Sequence, residues 1–171
     1  MNFVDIIGTV IDAVRAEWDE VNDPVKTPFY LYGHPIEIFN ILSKKSKHQS
    51  YKFDKYPLIA LFQDFEEDTN SNRTIVQNIT IVIMVETDPN FIAPSRYSAT
   101  FIPTLQPLYE LFIKHLKKSK YLASEEDYQH TKIDRLYWGK EDTFGNSGNI
   151  GNDALDAVVI NGLNLRIIKC K

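Results

Sequence analysis

Four histidines, one cysteine and an acidic run are the residues of this sequence with the most obvious capacity for chemistry. His34, His48, His115 and His130 fall in a loop, a basic stretch, a helix end and a strand start, and none has a second ligand at metal spacing beside it. Isolated histidines are usually structural or exposed, so catalysis would require the fold to assemble separated residues such as His34, Asp64 and His130. Cys170 stands beside the C-terminus, where nothing local would hold it or lower its pKa, and a lone cysteine makes no intrachain disulfide. Asp64, Glu66, Glu67 and Asp68 lack the glycine turn and distal glutamate of a calcium loop. Gly145, Gly148 and Gly151 are not followed by the lysine of a phosphate loop. Asp134-Arg135 reads as a surface or interface ion pair. No catalytic constellation emerges, and no enzyme activity, cofactor or metal is expected.

These residues sit on a chain of 171 residues, enough for a single domain that buries about two thirds of its unfolded surface. With 43% hydrophobic and 25% charged residues, it is neither a disordered nor a membrane composition. The net charge of −4 argues against general nucleic-acid affinity. Two basic stretches, Lys44 to Lys55 and Lys114 to Lys120, read as solvated surface. The start, Met-Asn-Phe-Val-Asp, has an acid where a secretion signal needs bases, and no apolar run is long enough to span a bilayer; an intracellular location is expected.

The stretch Thr74 to Glu86 is the longest β-type run and predicts a central strand. Strict alternation would put Ile75, Gln77, Ile79, Ile81, Ile83 and Val85 on the core face, and Val76, Asn78, Thr80, Val82, Met84 and Glu86 on the other. Phe3, Ile6, Ile7, Val10, Val14 and Trp18 mark an amphipathic N-terminal helix. Phe29 to Tyr32, between Pro28 and Gly33, reads as an edge strand, and Pro35 opens a short helix to about Ser43 with Ile36, Phe39 and Ile41 or Leu42 on its packing side. Tyr56 to Phe62 predicts a strand buried on both faces, followed by a projecting polar arm from Asp64 to Arg73. Leu105, Leu108, Phe112 and Leu116 give a long central helix, with Pro103 and Pro107 kinking it or marking its regular start. Tyr128 to Trp138 and Leu155 to Ile167, bulged at Gly162, complete the strands around a glycine-rich loop from Gly139 to Asp153. The fold class expected is α+β, a mainly antiparallel sheet of four to five strands against the N-terminal and central helices.

Tyr56-Pro57-Leu58-Ile59-Ala60-Leu61, the long strand ending Glu86-Thr87-Asp88, Arg96-Tyr97, Phe101 to Tyr109, Asp134 to Gly139 and Asn149 to Asp156 together resemble uncharacterised proteins of phages and prophages of Bacteroidota-type hosts. The element order is also similar to that of bacteriophage tail terminator, or tail-completion, proteins. That resemblance implies a small α+β subunit of a ring, hexameric by preference, which ends the tail tube and meets the head connector, with DNA passing through its opening. It implies assembly in the bacterial cytoplasm and a final place in the virion neck. A closed ring needs two different complementary patches per subunit. The candidates are the aromatic Phe29, Tyr30 and Tyr32, the polar arm with Asp64, Glu66, Glu67, Asp68 and Arg73, and the second loop with Lys140, Phe144, Asn149 and Asp153. Both loops are expected to carry contacts along the tail axis. A neighbouring neck or contractile-injection component, and a small ligand-binding or enzyme domain, are the competing readings.

Overall fold

The structure is a computed structural model that describes residues 2–21, 27–47, 55–70, 73–123, 128–138 and 153–168. Helix α1 (Phe3–Val21) buries Phe3, Ile6, Ile7, Val10, Val14 and Trp18, the stripe its sequence marks, and Ile11 besides. Its start is closed reciprocally, with the Asp5 amide donating to Asn2 Oδ1 at 2.8 Å and the Asn2 amide to Asp5 Oδ2 at 3.4 Å.

Among the described residues the sheet has six strands in the order β1-β2-β4-β6-β5, with β3 also paired to β4. They are β1 (Phe29–Gly33), β2 (Leu58–Phe62), β3 (Glu66–Asn70), β4 (Arg73–Glu86), β5 (Thr131–Trp138) and β6 (Leu155–Ile167). β4 is central, as its length and apolar content require. All pairings are antiparallel except β1 with β2. Helix α2 (Pro35–Lys47) joins those two, and such a crossover returns the chain to the same end of the sheet. The architecture is α+β, with one more strand than the sequence suggested.

The extra strand is β3. The acidic stretch is no projecting arm: Glu66 to Asn70 pair with Gln77 to Arg73. β2 and β3 are two parts of one course along β4, separated by a bulge in which Gln63, Asp64 and Phe65 face only Asn78 and Ile79. Phe65 turns back onto the core, its ring edge-on to Phe3 at 4.9 Å.

Two further bulges break strict alternation on β4 and β6. Gln77 and Asn78 oppose Asn164 alone, and Asn161 and Gly162 oppose Thr80 alone, so one extra residue on each strand restores the register beyond them. Asn78 (φ 59°) and Gly162 (φ 68°) carry these turns, both residue types that tolerate the left-handed region. The consequence corrects the expected faces. Val76, not Ile75 or Gln77, joins Ile79, Ile81, Ile83 and Val85 in the main core, because one inserted residue flips every side chain before it. Gly162→Ala should lower stability by about 1–2 kcal/mol from backbone strain alone, since an added Cβ there meets no atom within 4 Å. Gly8→Ala should raise it by about 1 kcal/mol, its Cβ making only an ordinary 3.8 Å contact with Tyr30. Urea midpoints of the two variants would check the opposite signs.

One face of the sheet is covered by α1 and by a helix running from Ala93 to Lys118. That helix consists of α3 (Ala93–Arg96), a π-helical segment (Tyr97–Leu105) and α4 (Gln106–Lys118). Pro103 lies inside the π segment and Pro107 in the first turn of α4, so the prolines sit within one continuous helix whose middle is widened. α2 covers part of the opposite face. Its buried residues are Ile38, Phe39 and Leu42, while Ile36 and Ile41 are exposed, so of the expected packing residues Ile36 is on the wrong side and the choice between Ile41 and Leu42 falls to Leu42. Phe39 stacks on Trp138 at 5.2 Å over Ala60, Met84 and Ala157. α2 extends through Lys44 and Lys45 to Lys47, and Lys55 is buried against Asp153 rather than solvated.

Candidate functional site

Among the described residues the sheet ends in two free edges of unlike chemistry. On one side stand β1 and, beyond the end of β1, β3. β1 is aromatic: Tyr32 is 53% exposed, Phe29 is half-buried beneath Lys45 Nζ at 3.7 Å, and the Tyr30 and Tyr32 ring centroids lie 6.0 Å apart. β3 is acidic, with Glu66, Glu67 and Asp68 all exposed. On the other side stands β5, whose Arg135 is exposed and whose Lys132 donates to Asp134 at 2.9 Å. The expected Asp134-Arg135 pair is therefore replaced by Lys132-Asp134, because residues two apart share a face of a strand and adjacent ones do not.

Tyr30 Oη is buried with no hydrogen-bond partner among the described residues. Burial, and then Tyr32, Asp5 and Asp12, push its pKa well above the usual tyrosine value of 10.0. The Tyr56 hydroxyl is raised likewise, by burial and by Asp153, to which it donates at 3.0 Å. Both groups stay neutral when folded and ionise readily only when unfolded, so their contribution is complete below about pH 10 and lost as pH rises beyond it. Tyr30→Phe should gain about 1 kcal/mol at neutral pH by removing an unpaired buried hydroxyl, and should lose stability less steeply in alkali. Thermal unfolding from pH 8 to 11 would check both effects.

Between α2 and β5 no described residue covers the second face of the sheet, which forms a groove of about 370 Å³. Phe62, Val82, Val159 and Trp138 are among its apolar lining residues, and Asp64 and Arg135 bring opposite charges. Thr80 and Asn161, bonded to each other at 3.2 Å, also line it.

The three described histidines do not line this groove. His34 Nδ1 accepts from the Ile36 amide at 3.2 Å at the start of α2. His130 donates from Nδ1 to the Tyr128 carbonyl at 2.7 Å, which leaves Nε2 to accept from the Tyr109 hydroxyl at 2.8 Å. His115 bonds Glu17 at 2.8 Å, and Lys114 bonds the same carboxylate; together they hold its pKa below the ordinary value of 4.5. Among the described residues no hydrogen bond or ion pair joins His34, Asp64 and His130, although the Gln63 amide bonds the Gly33 carbonyl at 3.1 Å and so brings His34 and Asp64 into neighbouring positions. No cluster of three or more His, Cys, Asp or Glu able to hold a metal occurs among the described residues. No family model, curated protein or solved structure matches the chain.

Of the expected contact residues, Asp153 is engaged internally, accepting from Lys55 Nζ at 2.6 Å and from Tyr56. Arg73 contributes its backbone to the β3–β4 pairing opposite Asn70. His48, Lys140, Phe144, Asn149 and Cys170 lie outside the described residues.

Sequence reading missed a cluster at the end of the sheet where β4 stops and β6 starts. Arg96 and Asp156 are both fully buried, with Nη1 donating to Oδ1 at 2.8 Å. Thr100 donates to the other carboxylate oxygen at 3.0 Å, and the guanidinium also donates to the carbonyls of Phe91, Asp88 and Pro89. It lies 3.5 Å from the centre of the Tyr137 ring, at a fourth bulge where Tyr137 has φ 53°. The available signal was a single acid inside the apolar run Leu155 to Ile160. The cluster fixes a connection that leaves Ile92 70% exposed, next to Phe91, and the π segment presents Ile102 at 59%. These apolar groups at the end of the sheet are an additional candidate contact surface.

Proposed function

We propose that the chain is a non-enzymatic structural subunit of a phage or prophage tail. Copies form a ring, a hexamer by preference, that terminates the tail tube and joins it to the head connector, with DNA passing through the opening. The observation that supports this reading most directly is a single sheet bounded by two unlike edges, aromatic and acidic on one side and β5 on the other. Identical subunits joined through two different patches make heterologous contacts, and these close into rings when the rotation allows. The exposed Phe91, Ile92 and Ile102 at one end of the sheet suit contact along the tail axis. Assembly takes place in the bacterial cytoplasm, and the product lies in the virion neck.

Removing the gene from a phage or prophage that carries it is expected to give overlong tails unattached to heads, restored by the gene supplied in trans. Normal joined tails without it would refute the terminator role. Overlong tails are specific to a terminator; tails of normal length that fail to attach point to a neighbouring neck or contractile-injection component.

The groove favours a second reading, a small binding domain for a ligand with an apolar body and both charges, because Asp64 and Arg135 share an apolar floor there. Thermal stabilisation by such a compound, abolished in Arg135→Ala, would favour it over the ring.

A further inference from the structure

We infer that β3 of one copy pairs with β5 of the next, extending the sheet from subunit to subunit; this rests on the ring reading and names its joint. Among the described residues both strands carry unpaired backbone donors and acceptors along their outer edges, since there β3 is hydrogen-bonded only to β4 and β5 only to β6. β1 covers β2 on the same side of the sheet but stops at Gly33, leaving the edge of β3 open.

Charge selects the partner. Two β3 strands set against each other would oppose Glu66, Glu67 and Asp68 with their own kind, and like charges across a strand pair are destabilising. β5 supplies the opposite sign through Arg135, exposed and with no ion-pair partner among the described residues, and through Lys132, which shares its charge with Asp134. Length agrees as well. β3 has five residues, and β5 keeps a regular ladder over the five residues Thr131 to Arg135 before its bulge at Tyr137 turns the strand. Because the two edges lie on opposite sides of the sheet, the contact is head-to-tail.

The test uses reciprocal charge reversal in the full chain, read by sedimentation velocity across a wide concentration range. One variant carries Glu66→Lys, Glu67→Lys and Asp68→Lys; the other carries Lys132→Glu and Arg135→Glu. The parent chain is expected to associate, and each variant alone to require at least 10-fold higher concentration while keeping its circular dichroism. An equimolar mixture of the two is expected to recover association as alternating, even-numbered assemblies, because each reversed edge then meets an opposite charge. The recovery excludes misfolding as the cause of the loss. Assemblies that ignore both reversals would overturn the β3–β5 joint and leave the ring standing. A parent chain that stays monomeric at every concentration would overturn the joint and self-assembly of the ring together. Loss without recovery on mixing would also reject the joint.

Discussion

Asp156→Ala should lower the unfolding free energy by about 3–5 kcal/mol, because it strands the Arg96 guanidinium in a site where both partners are fully buried. Removal of the carboxylate leaves Thr100 Oγ1 only the Arg96 carbonyl, to which it also bonds at 2.7 Å. Arg96→Met should cost a similar amount, since it leaves a buried carboxylate without its cation and releases three carbonyls. The double variant should cost clearly less than the sum, because no uncompensated charge then stays in the interior. Urea unfolding of the four chains measures this directly. Additive losses would mean that each residue acts through separate contacts. The ion pair also anchors the turn bearing Phe91 and Ile92, so the single variants should show faster proteolysis there than at α1.

Trp138→Ala should cost about 3–5 kcal/mol. The ring is 2% exposed, stacked on Phe39 of α2 at 5.2 Å and 6.3 Å from Phe62 of β2, so its loss opens a cavity where α2, β2 and β5 meet. Its position predicts a local consequence as well. α2 relies on Ile38, Phe39 and Leu42 to hold it to the sheet, and amide exchange in α2 should accelerate far more than in α1, which packs on the opposite face. A uniform acceleration would show that the two faces unfold as one unit. Circular dichroism gives the midpoint, and the remaining tryptophan, Trp18, excited selectively, reports on α1.

Periodicity made most of the fold legible. The stripe from Phe3 to Trp18, the apolar run Leu58 to Phe62 and the series Leu105, Leu108, Phe112 and Leu116 each bury the side chains their spacing selects. Prolines marked real features: Pro103 is accommodated in the widened segment of the helix, and Pro107 stands in the first turn of its regular α-helical part. β3 was illegible because Glu-Glu-Asp-Thr-Asn has no apolar face and low strand propensity; its pairing with β4 is decided by the turn and the neighbouring strand. On α2, Ile36 and Ile41 competed with Ile38 and Leu42 for the buried side, and only the sheet beneath could choose between them.

The candidate contact residues divide in the same way. Tyr32 and the acids of β3 are exposed at an edge, as residue type suggests, whereas Lys55 and Asp153 look solvated in sequence and form a pair shielded from solvent. The sequence by itself determined which stretches other than β3 become helix or strand and that the sheet is built around β4, because hydrophobic periodicity is a local property. Tertiary structure alone decided the phase of β4 and β6 across Asn78 and Gly162, the burial of Arg96 with Asp156, and which strands end as free edges. Each depends on a partner far away in the chain, about 60 to 85 residues distant, and the free energy of such a contact exists only once both sides are in place.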